Sequence, residues 1–357
     1  MKNQDNQNLE FIPHSRPTLG ADEIKAVSEV IASGQIAEAN VVKAFENAFA
    51  RKIGVKYAVA TSSGTAALHL TLLAMGTGEN SEVIIPSYVC TALLNAINYV
   101  GATPVLAEID AETCNLDADD VKKRITPKTR AIIVPHMFGL AADLDGLLEL
   151  DVPVIEDCAQ SVGACYRRKP LGTFGAASVF SFYATKVMTS GEGGMVVSNS
   201  RKIAEIADDL KSYDKRDSYK TRFNYKMTEI QAALGLNQLA QLDTFIARRR
   251  SIARSYIDAF KSLEIKLPRE DPDHIYYRFI TRMDTDTDRI KLMLSEKGVG
   301  CDRPIYLPLH RFLKINGYPV TEQVWEKSLS IPIYPSLTPK EVDRVIRVFT
   351  ETIKQVR

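Results

Sequence analysis

The sequence predicts an α/β fold, in which a mostly parallel central sheet with flanking helices is followed by a smaller C-terminal α+β domain. Between Lys56 and about Asn199, short apolar runs alternate with helical patterns, as they do in α/β domains. Beyond Asn199 long amphipathic stretches begin, and the last part of the chain has strand and helix signals of its own. We therefore predict a large domain with an N-terminal arm over residues 1–245 and a small domain over 246–357.

Seven apolar runs are predicted to form the strands of the large domain. They are Tyr57 to Ala60, Val83 to Ile85, Thr103 to Ala107, Ala131 to Val134, Val154 to Ile155, Ser178 to Phe182 and Met195 to Val197. Residues 81–107 illustrate the pattern, since a strand ends at Pro86, a helix follows, and Gly101 stops that helix before the next strand. This arrangement is typical of a βαβ unit.

The rest of the chain is predicted to be mainly helical. Apolar residues recur at helical spacing in two stretches after the sheet, and the C-terminal part adds one strand and two helices. The predicted helices are Lys202 to Tyr213, Thr228 to Phe260, Asp286 to Glu296 and Lys340 to Lys354, and the predicted strand is Tyr276 to Thr281.

Composition and charge argue against several classes of protein. The 357 residues are 45% hydrophobic, which allows a large core. Because 45 basic residues balance 44 acidic ones, the net charge of +1 offers no field for nucleic acid or an anionic membrane. The five cysteines are an odd number without a C-x-x-C pair, which disfavours a disulfide framework and a structural zinc site.

The location of the protein is expected to be the cytoplasm. Residues 1–10 are polar and lack the apolar segment of a secretory signal. The longest apolar stretch, Val83 to Val100, is interrupted by Pro86, Thr91 and Asn95, so a buried strand and helix fit it better than a membrane span. We expect no metal, nucleic-acid or membrane partner.

The segment Ala60 to Leu68 combines a strand end, a small polar turn and a helix start. Such a turn directs free backbone N–H groups, together with the positive end of the helix dipole, at one point, where a phosphate binds well. Taken alone, the segment is better explained by an ordinary helix N-cap at Ser62 or Ser63.

The segment Val154 to Ser161 delivers an acidic residue at the end of a short apolar strand. Ligands of α/β sheets gather at the carboxyl ends of strands, so Asp157 could pair there with a positively charged ring nitrogen. The alternative is that Asp157 caps the next helix while Glu156 is solvated.

The segment Ser178 to Val197 places Lys186 between two β-like runs, among apolar and small residues and before a glycine-rich turn. Desolvation favours the neutral amine, which is the state that forms a Schiff base. A lone lysine is nearly always a solvated surface charge, but this one has no other charged residue between Lys169 and Glu192.

In this order, the three segments resemble the sugar aminotransferases of the DegT/DnrJ/EryC1/StrS family, which are fold-type I enzymes that use pyridoxal 5′-phosphate (PLP). The similarity spans nearly the whole chain. Its motifs are Ser15 to Pro17, Gly54 to Val59, Ser62 to Leu68, Ile125 to Ile132, Glu156 to Gln160, Phe180 to Phe182 before Lys186, Asn224 to Ala233, and Pro308 to His310.

The resemblance implies a role for each site residue. Lys186 forms the Schiff base and then carries the proton between the substrate and the cofactor, Asp157 keeps the pyridine nitrogen protonated, and Gln160 hydrogen-bonds the ring hydroxyl oxygen. The implied phosphate ligands are Gly64, Thr65 and Ser181, joined by Asn224 of the partner subunit in a homodimer.

One position departs from the family pattern. Many relatives have a ring-stacking aromatic residue where this chain has Cys90, and a thiol lacks the same stacking area. Tyr88 is a substitute candidate if the chain stays extended after Pro86. His69, His136 and His310 are expected to be structural, and Arg16 suits a surface ion pair at least as well as an anion site.

The function implied by the resemblance is transamination. L-glutamate gives its amine to the cofactor, and the resulting pyridoxamine 5′-phosphate aminates a keto sugar, expected to be a nucleotide-linked 4-keto-6-deoxy sugar for amino sugar and polysaccharide biosynthesis. The turn from Thr189 to Gly194 resembles relatives that aminate C4 rather than C3. The sequence leaves open the sugar, the nucleotide and the carbon that is aminated.

Two alternatives remain. A sugar dehydratase of the same family uses the aminated cofactor without a covalent anchor and carries His in place of the lysine, so Lys186 argues against it. A non-catalytic regulatory protein that retains the fold is disfavoured because Lys186, Asp157 and Gln160 are all intact.

Overall fold

A central sheet organises the computed structural model, which describes residues 10–356. The strands are β1 (Tyr57–Thr61), β2 (Glu82–Pro86), β3 (Thr103–Ala107), β4 (Thr129–Pro135), β5 (Val154–Asp157), β6 (Cys165–Tyr166), β7 (Lys169–Pro170), β8 (Ala177–Ser181), β9 (Gly194–Ser198), β10 (Phe279–Arg282) and β11 (Ser328–Ile331). All seven predicted strands of the large domain are confirmed.

The main sheet has seven strands in the order β1-β9-β8-β5-β4-β2-β3. All neighbours pair in parallel except β9, which is antiparallel to both β1 and β8. A parallel return needs a long crossover, but only residues 182–193 join β8 to β9, so β9 runs back beside β8. The prediction of a mostly parallel sheet is confirmed.

Helices cover the sheet and continue into the C-terminal part of the chain. They are α1 (Ala21–Ser33), α2 (Asn40–Ile53), α3 (Gly64–Ala74), α4 (Ala92–Tyr99), α5 (Ala118–Arg124), α6 (Leu144–Leu148), α7 (Arg201–Leu210), α8 (Glu229–Phe260), α9 (Thr287–Glu296), α10 (Leu309–Leu313), α11 (Pro319–Lys327) and α12 (Pro339–Gln355). The four predicted helices are confirmed as α7, α8, α9 and α12. Within residues 10–356, no helix is long and apolar enough to cross a membrane.

Helix α8 connects the two parts of the molecule. It begins with a capping box in which Thr228 and Gln231 satisfy each other's backbone N–H groups. Leu242 and Ile246 pack in the core beneath the sheet, whereas Ile252 packs in the C-terminal core. The core therefore changes close to the predicted boundary at residue 245, but inside a continuous helix, and the two-domain division stays a prediction.

The C-terminal part contains a two-stranded antiparallel sheet of β10 and β11. The predicted strand from Tyr276 is shorter than expected, because Tyr276 has a φ of 51°, a left-handed conformation that ends extended structure. The structure also adds β11 and the ribbon of β6 and β7, which the sequence analysis missed.

Candidate active site

Three predicted segments meet at one edge of the main sheet. Thr61 at the end of β1 pairs with Gly194, which in turn pairs with Ser181 at the end of β8. Asp157 ends β5, the other neighbour of β8. The strand ends thus bring the turn before α3, the acidic segment and the lysine segment together, as expected at the carboxyl edge of a parallel sheet.

The turn before α3 forms a cradle for an anion. Ser63 caps the helix by accepting a hydrogen bond from the Ala66 N–H at 3.1 Å. The N–H groups of Gly64 and Thr65 have no acceptor within residues 10–356. These free donors at the helix N-terminus suit a phosphate.

Ser181 lies directly against this cradle. A Cβ atom on Gly64 would sit 2.9 Å from the Cβ of Ser181, so only glycine allows this approach. The Ser181 hydroxyl oxygen accepts a long hydrogen bond of 3.4 Å from the Tyr183 N–H, which leaves its proton free to donate. The three predicted phosphate ligands of one chain therefore lie together.

Asp157 is a buried carboxylate with one oxygen unused. It is 7% exposed, and its Oδ1 accepts a hydrogen bond of 3.0 Å from the Ala159 N–H. Oδ2 has no hydrogen bond to any described residue. Burial raises the pKa of Asp157, although the positive charge of Lys186 and the nearby His136 oppose this rise. Such a carboxylate suits a cationic ring N–H, which would supply the missing partner.

Lys186 presents a free amine beside Asp157. Its backbone N–H donates to the Tyr183 carbonyl at 2.9 Å, which fixes the turn after β8. Its Nζ forms no hydrogen bond or ion pair within residues 10–356 and lies 5.5 Å from the centroid of the Tyr277 ring. Burial raises the pKa values of Asp157 and Cys90, and the charge on Lys186 acts against both rises.

Tyr277 was not predicted as a site residue. The ring is 5% exposed. Burial acts to raise the pKa of Tyr277, but three neighbouring cations and the Thr185 hydroxyl lower it to about 8. The cations are Lys186, Arg278 and Arg249. Tyr277 and the cations around it form one wall of the site. In the sequence, the aromatic residues around Tyr277 were the signal that could have indicated it.

Cys90 lines the site, as the departure from the family pattern implied. Its side chain is exposed, while the surrounding protein raises the pKa of its thiol. Lys186 lowers that pKa and Asp157 raises it.

Tyr88 points elsewhere. It is fully buried, with its ring 6.3 Å from that of Phe138 and its hydroxyl close to Cys114 and Ser328. The prediction that Tyr88 replaces the stacking aromatic assumed an extended chain after Pro86. Instead β2 ends there and residues 87–89 bend, so Tyr88 packs in the core. This geometry speaks against its predicted contact with the cofactor.

Gln160 is oriented by the backbone. Its Oε1 accepts a hydrogen bond of 3.0 Å from the Phe138 N–H. Because a backbone N–H can only donate, the amide oxygen must face Phe138, and the Nε2 group keeps its protons for another acceptor. This orientation suits the predicted contact with a ring oxygen.

Asn224 is exposed and has no hydrogen bond to another described residue. Its neighbours are fixed, since the N–H groups of Phe223 and Tyr225 donate to the carbonyls of Leu210 and Lys211. The predicted contact between Asn224 of the partner subunit and the phosphate stays a prediction.

The three histidines considered from the sequence have structural partners. His69 contacts the Tyr225 hydroxyl at 3.2 Å and lies among aromatic rings. His310 joins the Ser87 hydroxyl at 2.6 Å to Glu322 at 2.6 Å and is buried. Arg16 pairs with Glu341 at 3.1 Å, which is the surface ion pair considered in the sequence analysis. His136 takes part in a buried network with Glu156.

The buried group of His136, Glu156 and Cys158 has the composition of a metal site. However, Glu156 already accepts hydrogen bonds from three backbone N–H groups, from Ser178 and from His136. The Nδ1 atom of His136 accepts a hydrogen bond from the Ala142 N–H, so the ring proton is on Nε2. This Nε2–H donates a hydrogen bond to Glu156. Both residues are therefore occupied in a network that fixes the loop before β8.

Known proteins match this chain along nearly its full length. The DegT/DnrJ/EryC1/StrS aminotransferase family model matches residues 17–350. GDP-perosamine synthase of Escherichia coli O157:H7 is 36% identical over 361 residues, which cover 94% of this chain and 96% of that protein.

Solved structures share the whole fold. The aminotransferase TlmJ from Streptoalloteichus hindustanus has a TM-score of 0.92 at 31% identity, over 96% of this chain and 99% of its own. S. venezuelae DesV, solved with a ketimine intermediate, has a TM-score of 0.89 at 32% identity, over 94% and 95%. The putative sugar aminotransferase Spr1654 from Streptococcus pneumoniae, in its PLP form, has a TM-score of 0.92 at 26% identity, over 97% and 100%.

Proposed function

Because the chain belongs to the DegT/DnrJ/EryC1/StrS aminotransferase family, we propose that it moves the amino group of L-glutamate to a nucleotide-linked keto sugar. The chain is a sugar aminotransferase that uses PLP, as its relatives are. The donor, the nucleotide and the position of the keto group are the proposed part.

The observation that carries the proposal is the free amine of Lys186 beside the buried Asp157 carboxylate and the anion cradle at Gly64. PLP supplies an aldehyde that combines with amines and a ring that accepts an electron pair. Lys186 provides the covalent anchor and then takes and returns the proton at the substrate carbon. Because the Lys186 amine lies against the Tyr277 ring, the ring limits the positions that the amine can occupy.

Asp157 and Gln160 act on the two ends of the ring. The unused oxygen of Asp157 accepts the ring N–H and keeps that nitrogen positive, which strengthens its pull on electrons. The Nε2 of Gln160 donates to the ring hydroxyl oxygen, because its Oε1 is held by the Phe138 N–H. The backbone at Gly64 and Thr65 holds the phosphate together with the Ser181 hydroxyl.

The acceptor is proposed to be a nucleotide-linked 4-keto-6-deoxy sugar. The relative named GDP-perosamine synthase supports a sugar carried on a nucleotide. The turn from Thr189 to Gly194, whose similarity favours amination at C4, lies next to Lys186, and the Thr189 hydroxyl donates to the Phe182 carbonyl at 3.1 Å. The products then serve amino sugar and polysaccharide biosynthesis.

A homodimer completes the proposed site. Four large apolar side chains on and around α1 are more than half exposed: Leu19, Ile24, Ile31 and Ile36. Burying such a surface against a second copy is favourable, and Asn224 of the partner subunit then reaches the phosphate. The five free cysteines suit the reducing cytoplasm, where we place the enzyme.

The test combines the PLP-loaded enzyme with L-glutamate and a panel of nucleotide-linked keto sugars, and follows the release of 2-oxoglutarate. We expect turnover with at least one acceptor and an amino sugar as the product by mass spectrometry, and K186A should give neither. A product that has lost a hydroxyl group and gained no nitrogen would instead support the dehydratase alternative. The absence of turnover with every acceptor contradicts the proposal.

A further inference from the structure

Arg278 is a partly buried cation without a hydrogen-bonding or ion-pair partner among the described residues. It forms no hydrogen bond or ion pair within residues 10–356, although neighbouring arginines do. Arg249 donates to the Ile333 carbonyl at 2.8 Å, and Arg282 donates to the Glu112 carbonyl at 3.2 Å. A guanidinium has five N–H donors and fits a carboxylate in a two-pronged contact. The N–H donors of Arg278 are therefore available to an anion from outside the chain.

Arg278 lies beside the reactive lysine across one aromatic ring. Its Cζ atom lies 5.0 Å from the centroid of the Tyr277 ring, and Lys186 Nζ lies 5.5 Å from the same centroid. Because Tyr277 is 5% exposed, the ring cannot move aside and fixes the separation of the two cations. Arg278 and the amine therefore both contact Tyr277, within reach of the two carboxylates of one extended dicarboxylate.

The side chain of Arg278 faces the large domain. Side chains alternate along an extended segment, and in β10 Phe279 packs in the C-terminal core, whereas Ile280 packs in the core around Phe138. Residues 277 and 278 form a bend before this strand, and Arg278 lines the same cavity as Ile280 and Phe138. That side also carries the Phe138 loop, whose N–H orients Gln160.

The neighbourhood of Arg278 is positive. Lys186, Arg278 and Arg249 together keep the pKa of Tyr277 at about 8 despite its burial. His14 stays neutral beside Arg278, because burial, with the charge of Arg278 adding to it, lowers the pKa of this histidine to about 3. When Lys186 holds the cofactor, Arg278 remains as an unpaired cation for a negatively charged substrate group.

We propose that Arg278 binds a carboxylate of the amino donor. This inference rests on the proposed function, in which L-glutamate brings two carboxylates to the site. The keto sugar ring is neutral, and the phosphates of its nucleotide lie beyond the ring from the carbon that is aminated. Arg278 therefore serves the donor half-reaction and is dispensable for the acceptor half-reaction.

The experiment separates the two half-reactions. We mix L-glutamate alone with the PLP-loaded wild type, R278Q and R278K. The absorbance of the cofactor reports the rate of the donor half-reaction, and its dependence on L-glutamate gives the concentration for the half-maximal rate. Calorimetry measures the binding of glutarate, a dicarboxylate that cannot react. The control is R254Q, which removes the same charge from an exposed position on α8.

We expect R278Q to raise two quantities by about 10- to 100-fold, because a charge-assisted pair is lost. They are the L-glutamate concentration that gives the half-maximal rate and the dissociation constant of glutarate. R278K should raise them less, since lysine keeps the charge but not the two-pronged contact. The aminated enzyme should react with the keto sugar within about twofold of the wild-type rate. R254Q should match the wild type throughout.

Other results overturn the inference. If the constants for L-glutamate and glutarate are unchanged in R278Q and R278K, Arg278 does not bind the donor carboxylate and only contacts Tyr277. A loss confined to the keto sugar half-reaction would assign Arg278 to a phosphate of the acceptor. Should R278Q fail to fold, R278K decides by the same two constants. If the wild type itself reacts with no amino acid, the proposed function fails, and the inference fails with it.

Discussion

Burial of the Asp157 carboxylate is unfavourable for the folded protein, but it suits the binding of a cationic ring nitrogen. Burial raises the pKa of this carboxyl, so the folded protein resists its ionisation. Its charge is satisfied only when a cationic group binds Oδ2. The residue therefore lowers the stability of the cofactor-free protein while it strengthens the electron demand of the bound ring.

D157N should separate these two effects. The cofactor-free variant is expected to unfold at a higher temperature than the wild type, while its turnover with PLP should fall by about 100-fold or more. Because the pKa of Asp157 is raised, the burial penalty is absent below the ordinary pKa of an aspartate, grows as the pH rises from there to the raised pKa, and is complete above it. The gain in unfolding temperature should thus be larger near pH 7 than near pH 4. A lower unfolding temperature for cofactor-free D157N at neutral pH would refute this account.

Lys186 is the residue on which covalent attachment depends. K186A should lose the cofactor linkage that borohydride reduction makes permanent, as well as turnover, because no other described amine lies beside Asp157 in this site. PLP should still bind through the phosphate cradle and should be removed by dialysis. Mass spectrometry of the reduced protein reports the linkage. Covalent PLP at another lysine in the reduced wild type would show that the anchor is assigned wrongly.

Lys186, Asp157 and the turn before α3 each lie in a short segment with its own local signal, whereas the roles of Gln160 and Ser181 were implied by the family resemblance. Tyr277 and Arg278 were not predicted. They are about ninety residues from Lys186 along the chain, and only the packing of the segment before β10 against the turn after β8 brings them together. Tyr88 was predicted in the wrong environment because a bend after Pro86 cannot be read from residue types alone.

At the scale of elements, the close approach of α3 to β8 determines the cradle. Gly64 begins α3 with a φ that other residues can adopt, so the reason for glycine is space. A side chain there would press on Ser181 and displace the helix N-terminus from the strand end.

G64A should therefore weaken PLP binding by about tenfold or more, because the donors at the helix N-terminus and the Ser181 hydroxyl would no longer converge. Fluorescence titration of the cofactor-free protein measures the dissociation constant. The matched control is G78A, since a Cβ at Gly78 meets only the Val100 carbonyl at 3.8 Å. Equal affinities for G64A, G78A and the wild type would remove the cradle from the account.

The main elements followed from the sequence because strands alternated with helices and the helix ends carried caps, as at Thr228. The elements that were missed are short. β11 reads Ser328 to Ile331, with serines at alternate positions, and it exists only because it pairs with β10. The antiparallel direction of β9 also depends on tertiary pairing rather than on residue type.

At the scale of the whole molecule, the account requires two chains to complete each site. The exposed Asn224 makes no hydrogen bond within residues 10–356, and α1 presents exposed apolar side chains. Nothing in residue spacing reveals a second copy, so the homodimer entered only through the family resemblance.

Mixing two inactive variants tests the shared site. N224A keeps Lys186, and K186A keeps Asn224, so a hybrid dimer contains one site with both residues intact. We expect each variant alone to have little activity, and we expect activity to return when the two are unfolded and refolded together. Activity that stays at the level of the separate variants, although hybrids are detected by native mass spectrometry, would contradict a contribution from Asn224 of the partner subunit.

The transfer of nitrogen is the central claim, and it can be followed directly. The PLP-loaded enzyme is incubated with L-glutamate labelled with heavy nitrogen and with the nucleotide-linked keto sugar that it turns over, and the sugar product is examined by mass spectrometry. The account predicts a sugar that carries the heavy nitrogen, in an amount equal to the 2-oxoglutarate released, and no labelled sugar with K186A. A sugar product without the label, formed by the wild type while L-glutamate remains unchanged, would contradict it.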